Sequence, residues 1–136
     1  MANYYGYARS NYFKVKDLEK FKAEFIDELD LELITHKEMP GFYGFLANGE
    51  GGIPHTMCNA DDQIVDVDFD AKLAEHLTED TVAIYQEVGH EKLRYLAGFA
   101  TAVNHKGETR HISLYDIYEK AREICEKPIE ITLAEY

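Results

Sequence analysis

Three alternating aspartates, Asp66, Asp68 and Asp70, have the spacing with which an EF-hand calcium loop begins. Such a loop also needs glycine at its sixth position, for a sharp turn, and a bidentate glutamate at its twelfth. The chain has Ala71 and Leu77 there, so we reject an EF-hand. We interpret the aspartates as the acidic start of a helix, where the helix dipole favours negative charge. Weak cation binding stays an alternative for a wider group, Asp61, Asp62, Asp66 and Asp68.

Other chemistry-bearing residues lack the partners that metal binding or catalysis requires. His55 and Cys58 can reach one zinc ion, but the chain has no second Cys/His pair to complete four ligands. The glycines around Glu50 match neither common phosphate-binding motif. No G-x-S-x-G elbow surrounds a serine, and Cys125 has the apolar helical neighbours of an unreactive thiol. The sequence therefore predicts no metal, no cofactor and no enzymatic activity.

Negative charge is concentrated in residues 50–87. This segment holds ten acidic residues against one lysine, Lys72, in a chain whose formal net charge is −12. Such a field repels nucleic acid and attracts basic protein surfaces. We therefore expect a basic protein partner and no direct nucleic-acid binding, and a solvated face that maintains solubility is the alternative. The candidate contact residues are Asp61, Asp62, Asp66, Asp68, Asp70, Glu75, Glu79 and Asp80.

Arginine and tyrosine supply a second candidate site. Arg9 and Arg94 each interrupt a β-like run, and Tyr7 and Tyr95 are close to them in sequence. Guanidinium groups suit an anionic small molecule, although a structural ion pair or a solvated edge is the favoured explanation for such arginines. The chain has ten tyrosines, a residue type enriched at protein interfaces. An oligomeric sponge that sequesters an anionic nucleotide is therefore the second function hypothesis.

Length and composition indicate one domain. The chain has 136 residues, 46% of them hydrophobic, with three prolines and no low-complexity stretch. We predict a single globular domain over residues 1–136 that ends in a short tail at 128–136. No window reaches the ~18 apolar residues of a membrane span, and no signal peptide is present. Two distant cysteines predict reduced thiols, so we expect a soluble cytoplasmic protein.

The hydrophobic pattern predicts an α+β fold. Alternation with period two indicates strands at 4–15, 31–35, 42–47, 81–88, 93–103 and 109–112, with an edge strand at 129–133. Helical spacing predicts helices at 18–29, 69–77 and 113–125, whereas residues 48–62 fit no period. The runs 81–88 and 93–103 are almost continuously apolar, which is typical of central strands. Because the connections are too short for crossovers, we expect a mainly antiparallel sheet of about five to six strands with three helices on one face.

Three stretches resemble small proteins carried by phages, plasmids and conjugative elements: residues 3–17 (NYYGYARSNYFKVKD), 87–100 (EVGHEKLRYLAGFA) and 132–136 (TLAEY). The resemblance implies a mobile-element setting in a bacterial host and supplies no catalytic residues. Small acidic proteins of such elements look like counter-defence factors. The function predicted is therefore non-enzymatic inhibition of a CRISPR or restriction effector, through binding of its basic nucleic-acid channel. A scaffold role with an acidic solubilising surface is a further alternative.

Overall fold

The computed structural model describes residues 4–47, 51–92, 94–128 and 130–134. Within these residues the chain forms eight strands and three helices. The strands are β1 (Tyr5–Ser10), β2 (Glu32–Thr35), β3 (Tyr43–Ala47), β4 (Thr56–Cys58), β5 (Ile64–Asp66), β6 (Val82–Glu91), β7 (Tyr95–Asn104) and β8 (Thr109–Ser113). The helices are α1 (Leu18–Phe21), continued by a π-helical segment (Lys22–Asp27), α2 (Phe69–Ala74) and α3 (Asp116–Arg122).

Six of the described strands form the main sheet in the order β2-β3-β1-β6-β7-β8, and every neighbouring pair is antiparallel. The predicted α+β class and mainly antiparallel sheet are therefore confirmed. Strands β6 and β7 are the longest, with ten residues each, and lie inside the sheet as their apolar composition predicts. Strand β6 extends to Glu91 and β7 begins at Tyr95, so their connection lies further along the chain than the predicted 89–92, and Lys92 has a φ of 49°.

The helix predicted at 18–29 begins as expected and then changes type. The Asp17 side chain caps it by accepting a hydrogen bond from the Lys20 amide at 3.2 Å. The π-helical segment that follows places both Phe25 and Ile26 on the buried side. The helical region ends before Asp30, which has a φ of 53°.

Phenylalanine rings fill the space between the main sheet and the helices α1 and α2. Phe25 of the π-helical segment packs against Phe45 of β3 at 5.6 Å and against Phe69 of α2 at 5.2 Å, measured between ring centroids. All three are almost completely buried. Phe13, which follows β1, also packs against Phe45. Regular strand pairing of β1 stops at Ser10, and two isolated bridges follow it, at Phe13 and Val15. The long first strand predicted at 4–15 is thus interrupted.

Two predicted features differ near the middle and end of the chain. Part of the region predicted to be irregular, 48–62, forms the β4–β5 hairpin, although residues 48–50 lie outside the described part. The Asn59 side chain builds this turn by accepting hydrogen bonds from the amides of Asp61 and Gln63, at 2.9 and 3.0 Å. Residues 130–133 form no strand, and Ile129 lies outside the described residues.

The two faces of the main sheet have different surroundings. On the covered face, side chains such as Ala83 and Tyr85 of β6 are buried beneath α1 and α2. On the opposite face, which we call the open face, Val82, Ile84 and Val88 of the same strand are exposed.

Helix α3 is placed differently from the expected single helical layer. Leu114, just before α3, lies against Gly98 on the open face. None of the seven residues of α3, all of which the structure describes, is buried. None of the described helices has the length and apolar character needed to cross a bilayer.

Candidate binding surfaces

The predicted acidic residues occupy a hairpin, a helix and the loop that follows it. Asp61 and Asp62 form the tip of the β4–β5 hairpin, and Asp66 ends β5. Glu75 follows α2, and Glu79 lies in the loop before β6. All five side chains are exposed. Among the described residues, no cation lies within ion-pair distance of any of them.

The other three predicted acidic residues have structural partners. Asp68 caps α2 by accepting a hydrogen bond from the Ala71 amide at 3.2 Å, which confirms the helix-start interpretation. Asp70 turns inward and accepts a 2.5 Å hydrogen bond from the Tyr85 hydroxyl. Asp80 accepts from Lys14 Nζ at 2.8 Å and from Thr78 Oγ1 at 2.6 Å. These hydrogen bonds lower the pKa of the Asp80 carboxyl to about 2.

The region of helix α1 and its π-helical continuation contributes further exposed carboxylates. They lie outside the acidic segment 50–87, to which the candidate residues predicted from the sequence belong. Lys72 of α2 bridges to Glu28 at 2.8 Å, so the two helical segments lie side by side. Asp27 and Asp30 are exposed on the same segment. The signal in the sequence was the acidic outer side of the amphipathic helix. We call the exposed carboxylates of these segments and of the β4–β5 hairpin together the acidic layer: Asp27, Glu28, Asp30, Asp61, Asp62, Asp66, Glu75 and Glu79.

Glu87 is the exception within the acidic segment, because it is buried in the structure. Its Oε2 accepts a 2.8 Å hydrogen bond from the Tyr4 hydroxyl, and its Oε1 accepts a 2.6 Å bond from the Ile53 amide. Burial, together with the bond to Glu87, raises the pKa of the Tyr4 phenol, which therefore stays a donor. Glu87 thus contributes a structural connection rather than surface charge.

Glycines make room for this connection. Gly6 and Gly89 pair across β1 and β6, and the Tyr4 ring lies where side chains at these positions would project. Gly52, with a φ of 75°, leaves the space that the Glu87 carboxylate occupies. This explains why Gly89 lies in a strand and not in the predicted turn.

A second polar chain crosses the covered face. Thr101 Oγ1 lies 2.9 Å from His111 Nδ1, and Thr101 pairs in register with Tyr85 across β6 and β7. Burial and the bond to Asp70 raise the pKa of the Tyr85 phenol. These residues satisfy one another's hydrogen bonds, which is the usual condition for buried polar groups. The arrangement supports the fold and holds no exposed nucleophile.

The second candidate site is not assembled. Arg9 and Tyr7 lie on the open face, where Arg9 pairs in register with Gln86. Arg94 lies at the far end of β6, beside the turn, and its Nη1 is 3.6 Å from Glu91 Oε1. Tyr95 stacks on Tyr4 at 6.4 Å between ring centroids, near that same end. The structure therefore separates the two arginines within one chain.

The residues considered for zinc binding are also apart from other ligands. His55 and Cys58 are both exposed, one before and one at the end of β4. Within the described residues, no group of three or more His, Cys, Asp or Glu side chains has the arrangement to hold a metal ion. Cys125 is partly buried, and its Sγ lies 3.5 Å from the Ala121 carbonyl oxygen.

The open face is the other large surface that the structure creates. Its exposed apolar side chains come from four elements of the chain, and α3 borders them. A groove of about 540 Å³ runs between this helix and the sheet, lined mainly by Leu96, Ile112, Leu114, Ile117 and Tyr118. Exposed apolar groups in this number are unusual for a monomer.

No relative is found. Comparison of the chain with protein-family models, with curated proteins and with solved structures gives no match. Function is therefore inferred from two surfaces of the molecule, the acidic layer and the open face.

Proposed function

We propose that this protein is a non-enzymatic inhibitor that binds the basic nucleic-acid-binding surface of a bacterial defence effector through its acidic layer. The observation that carries the proposal is the group of five exposed carboxylates, Asp61, Asp62, Asp66, Glu75 and Glu79, without an ion-pair partner among the described residues. The resemblance to proteins of mobile elements favours a restriction or CRISPR effector as the target.

The physical basis is competition for the same cations. A nucleic-acid channel presents lysine and arginine to phosphate groups. The same side chains also form charge-assisted hydrogen bonds with carboxylates. Glu75 follows α2, which is anchored by the buried Phe69 and Leu73, and the β4–β5 hairpin with Asp61, Asp62 and Asp66 packs Met57 against the core. Holding them in place reduces the entropy lost on binding. Long-range attraction accelerates association, and added salt weakens it.

A matched pair of variants tests this proposal. The first neutralises the acidic layer by changing Asp61, Asp62 and Asp66 to Asn and Glu75 and Glu79 to Gln. The second neutralises five other exposed glutamates, Glu38, Glu119, Glu123, Glu126 and Glu130, and so has the same net charge. Each is titrated into purified restriction and CRISPR effectors bound to fluorescent DNA, and displacement is read by anisotropy.

We expect the native chain and the second variant to displace DNA from at least one effector. The first variant should require at least ~30-fold more protein, because several charge-assisted contacts are lost together. Displacement that is equally strong with both variants would contradict the acidic-layer mechanism. So would displacement by the native chain that does not weaken between 50 and 300 mM salt, concentrations of roughly the range over which screening develops.

A further inference from the structure

The open face carries large apolar side chains that face water. Val88 is 62% exposed, Leu96 59% and Ile112 67%, although all three lie in strands of the main sheet. Tyr7 and Ile84 add to the same surface. Water contact at this many apolar groups costs free energy in proportion to their area, so a covering partner would stabilise the chain.

The sequence of β6 and β7 also has the composition of strands that are covered on both faces. Sheets with one solvated face usually alternate apolar and polar residues, whereas strands buried on both sides are continuously apolar. In β6 the outward positions Val82, Ile84 and Val88 are apolar, with the polar Gln86 between them, whereas the buried positions include Glu87. The open face is thus built like an interior surface.

Charge decides which partner fits this face. Its strand residues that the structure describes include one carboxylate, Glu32, against Arg9 and Arg110. The chain as a whole carries −12, and the acidic layer lies on the other side of the sheet. Two copies repel each other strongly when acidic layers meet, and least when open faces meet. Of these two surfaces, the open face is therefore the one where charge least opposes contact with a second copy.

The relief of the open face is self-complementary. Val82, Ile84 and Val88 form a raised row along β6. The neighbouring row on β7 is low where Ala100 and Ala102 pair in register with Gln86 and Ile84, whereas Leu114 fills the space above Gly98, next to Val88. A two-fold axis between two such faces places the raised row of each copy over the low row of the other, which is the arrangement of an isologous interface.

The face is also large enough. Six strands at a spacing of about 4.8 Å and a mean length near 22 Å give roughly 600 Å² in projection, and corrugation by side chains increases the accessible area. Stable interfaces bury about 800 Å² per partner. The groove beside α3 extends the same apolar surface at one side.

We infer that the open face is the interface of a homodimer in which two sheets pack face to face and both acidic layers point outward. This inference goes beyond the proposed inhibition and does not depend on it. Each dimer would present two acidic layers to partners.

Analytical ultracentrifugation of the full chain at micromolar to submillimolar concentrations tests the dimer. We expect a mass twice the 15.6 kDa of the chain. Val88→Glu and, separately, Ile112→Glu should raise the dissociation constant at least ~100-fold, because each places a carboxylate in an apolar contact. Both positions are exposed in the single chain, so circular dichroism and thermal unfolding should show an intact fold.

Ile64→Glu is the matched control. Ile64 is 76% exposed on the β4–β5 hairpin, away from the open face, and this variant should stay dimeric. A native chain that remains monomeric throughout the range would overturn the inference, and would leave the face to a different protein. Dimerisation that Val88→Glu and Ile112→Glu leave intact, or that Ile64→Glu abolishes, would overturn it as well.

Salt separates this inference from the proposed function. An apolar dimer persists or tightens when salt rises from 50 to 500 mM, roughly the range in which exposed charges become fully screened. Binding through the acidic layer weakens over the same range. Monomeric Val88→Glu that still displaces DNA from an effector would show that the two surfaces act independently.

Discussion

The covered and open faces of the main sheet use the same strands in different ways. On the covered face, β6 contributes Ala83, Tyr85 and Glu87, a small, an aromatic and a charged residue. On the open face the same strand presents the β-branched Val82 and Ile84. The difference teaches that residue hydrophobicity alone does not identify the interior side of a sheet. The helices supply the bulk of the apolar volume on the covered face, so the strand needs little there.

The largest loss of stability is expected when one aromatic ring is removed from the covered face. Phe25→Ala deletes a side chain that packs against the rings of Phe21, Phe45 and Phe69. We expect the free energy of unfolding to fall by about 3–5 kcal/mol, because a large cavity remains. Urea denaturation followed by circular dichroism measures this loss.

Val88→Ala is the control on the open face. It should change the stability of the dissociated chain by about 0.5 kcal/mol or less, since Val88 is largely exposed. The measurement is made at the lowest workable protein concentration, where single chains dominate. Equal losses for the two variants would show that the faces do not differ as the structure indicates.

Two tyrosine-to-phenylalanine variants compare the faces, because each removes a single hydroxyl group. Tyr4→Phe removes the hydroxyl that donates to the buried Glu87, leaving one carboxylate oxygen without that bond. We expect a loss of about 1–3 kcal/mol, the usual cost of an unsatisfied buried polar group. Tyr7→Phe makes the same chemical change at a side chain that is 63% exposed on the open face. Thermal unfolding of this control should match the native chain, and a larger effect than that of Tyr4→Phe would refute the assignment.

Acid should destabilise the covered side through His76. This imidazole is buried against Phe21 and Phe25, and its Nε2 has no hydrogen-bond partner among the described residues. Burial lowers the His76 pKa, while Glu24, 3.9 Å away, opposes the shift only in part. The unfolded chain therefore takes up a proton first, so stability is complete above pH ~6.5 and falls as the pH drops below it.

His76→Leu should reduce this loss of stability between pH 7 and pH 5, a window of about one unit on either side of the ordinary histidine value. His55→Gln, which removes an exposed imidazole, should leave the pH dependence unchanged. Chemical denaturation at a series of pH values gives both curves. If all three proteins have parallel curves, His76 is not the group responsible.

The smallest effect is expected outside both faces, at Asp80. Its pKa is lowered to about 2 by the bonds to Lys14 and Thr78, so its contribution is complete above the ordinary aspartate value and disappears as the pH falls through 2. Asp80→Asn should lower the melting temperature slightly at pH 7 and not at all near pH 2. Asp61→Asn, at the hairpin tip, should have no effect at pH 7. A lower melting temperature for Asp61→Asn than for Asp80→Asn would contradict these assignments.

Local patterns in the sequence were sufficient for much of the fold. Helices α1 and α2 begin at the predicted positions, 18 and 69, with Asp17 and Asp68 as caps, and the apolar runs of β6 and β7 identify the central hairpin. These features depend on neighbours a few residues away. The β4–β5 hairpin was missed because its turn depends on one side chain, Asn59, inside a segment rich in glycine.

The candidate sites were harder to predict because their residues depend on distant partners. Asp70 and Asp80 resemble the free carboxylates in sequence, yet Tyr85 and Lys14 bind them in the structure. Burial of Glu87 depends on Tyr4, 83 residues away. The separation of Arg9 from Arg94 follows from the register of β1 against β6. Spacing along the chain contains none of this information.

The buried connection at Glu87 has a consequence for how the strands find their alignment. Side chains alternate between the two faces of a sheet, so a slip of one residue between β1 and β6 would move Tyr4 to the open face while Glu87 stayed inside. The carboxylate would then be buried without its donor, and the Gly6–Gly89 pair would no longer accommodate the ring. One acidic residue thereby penalises a one-residue slip between β1 and β6 and favours the native register over it.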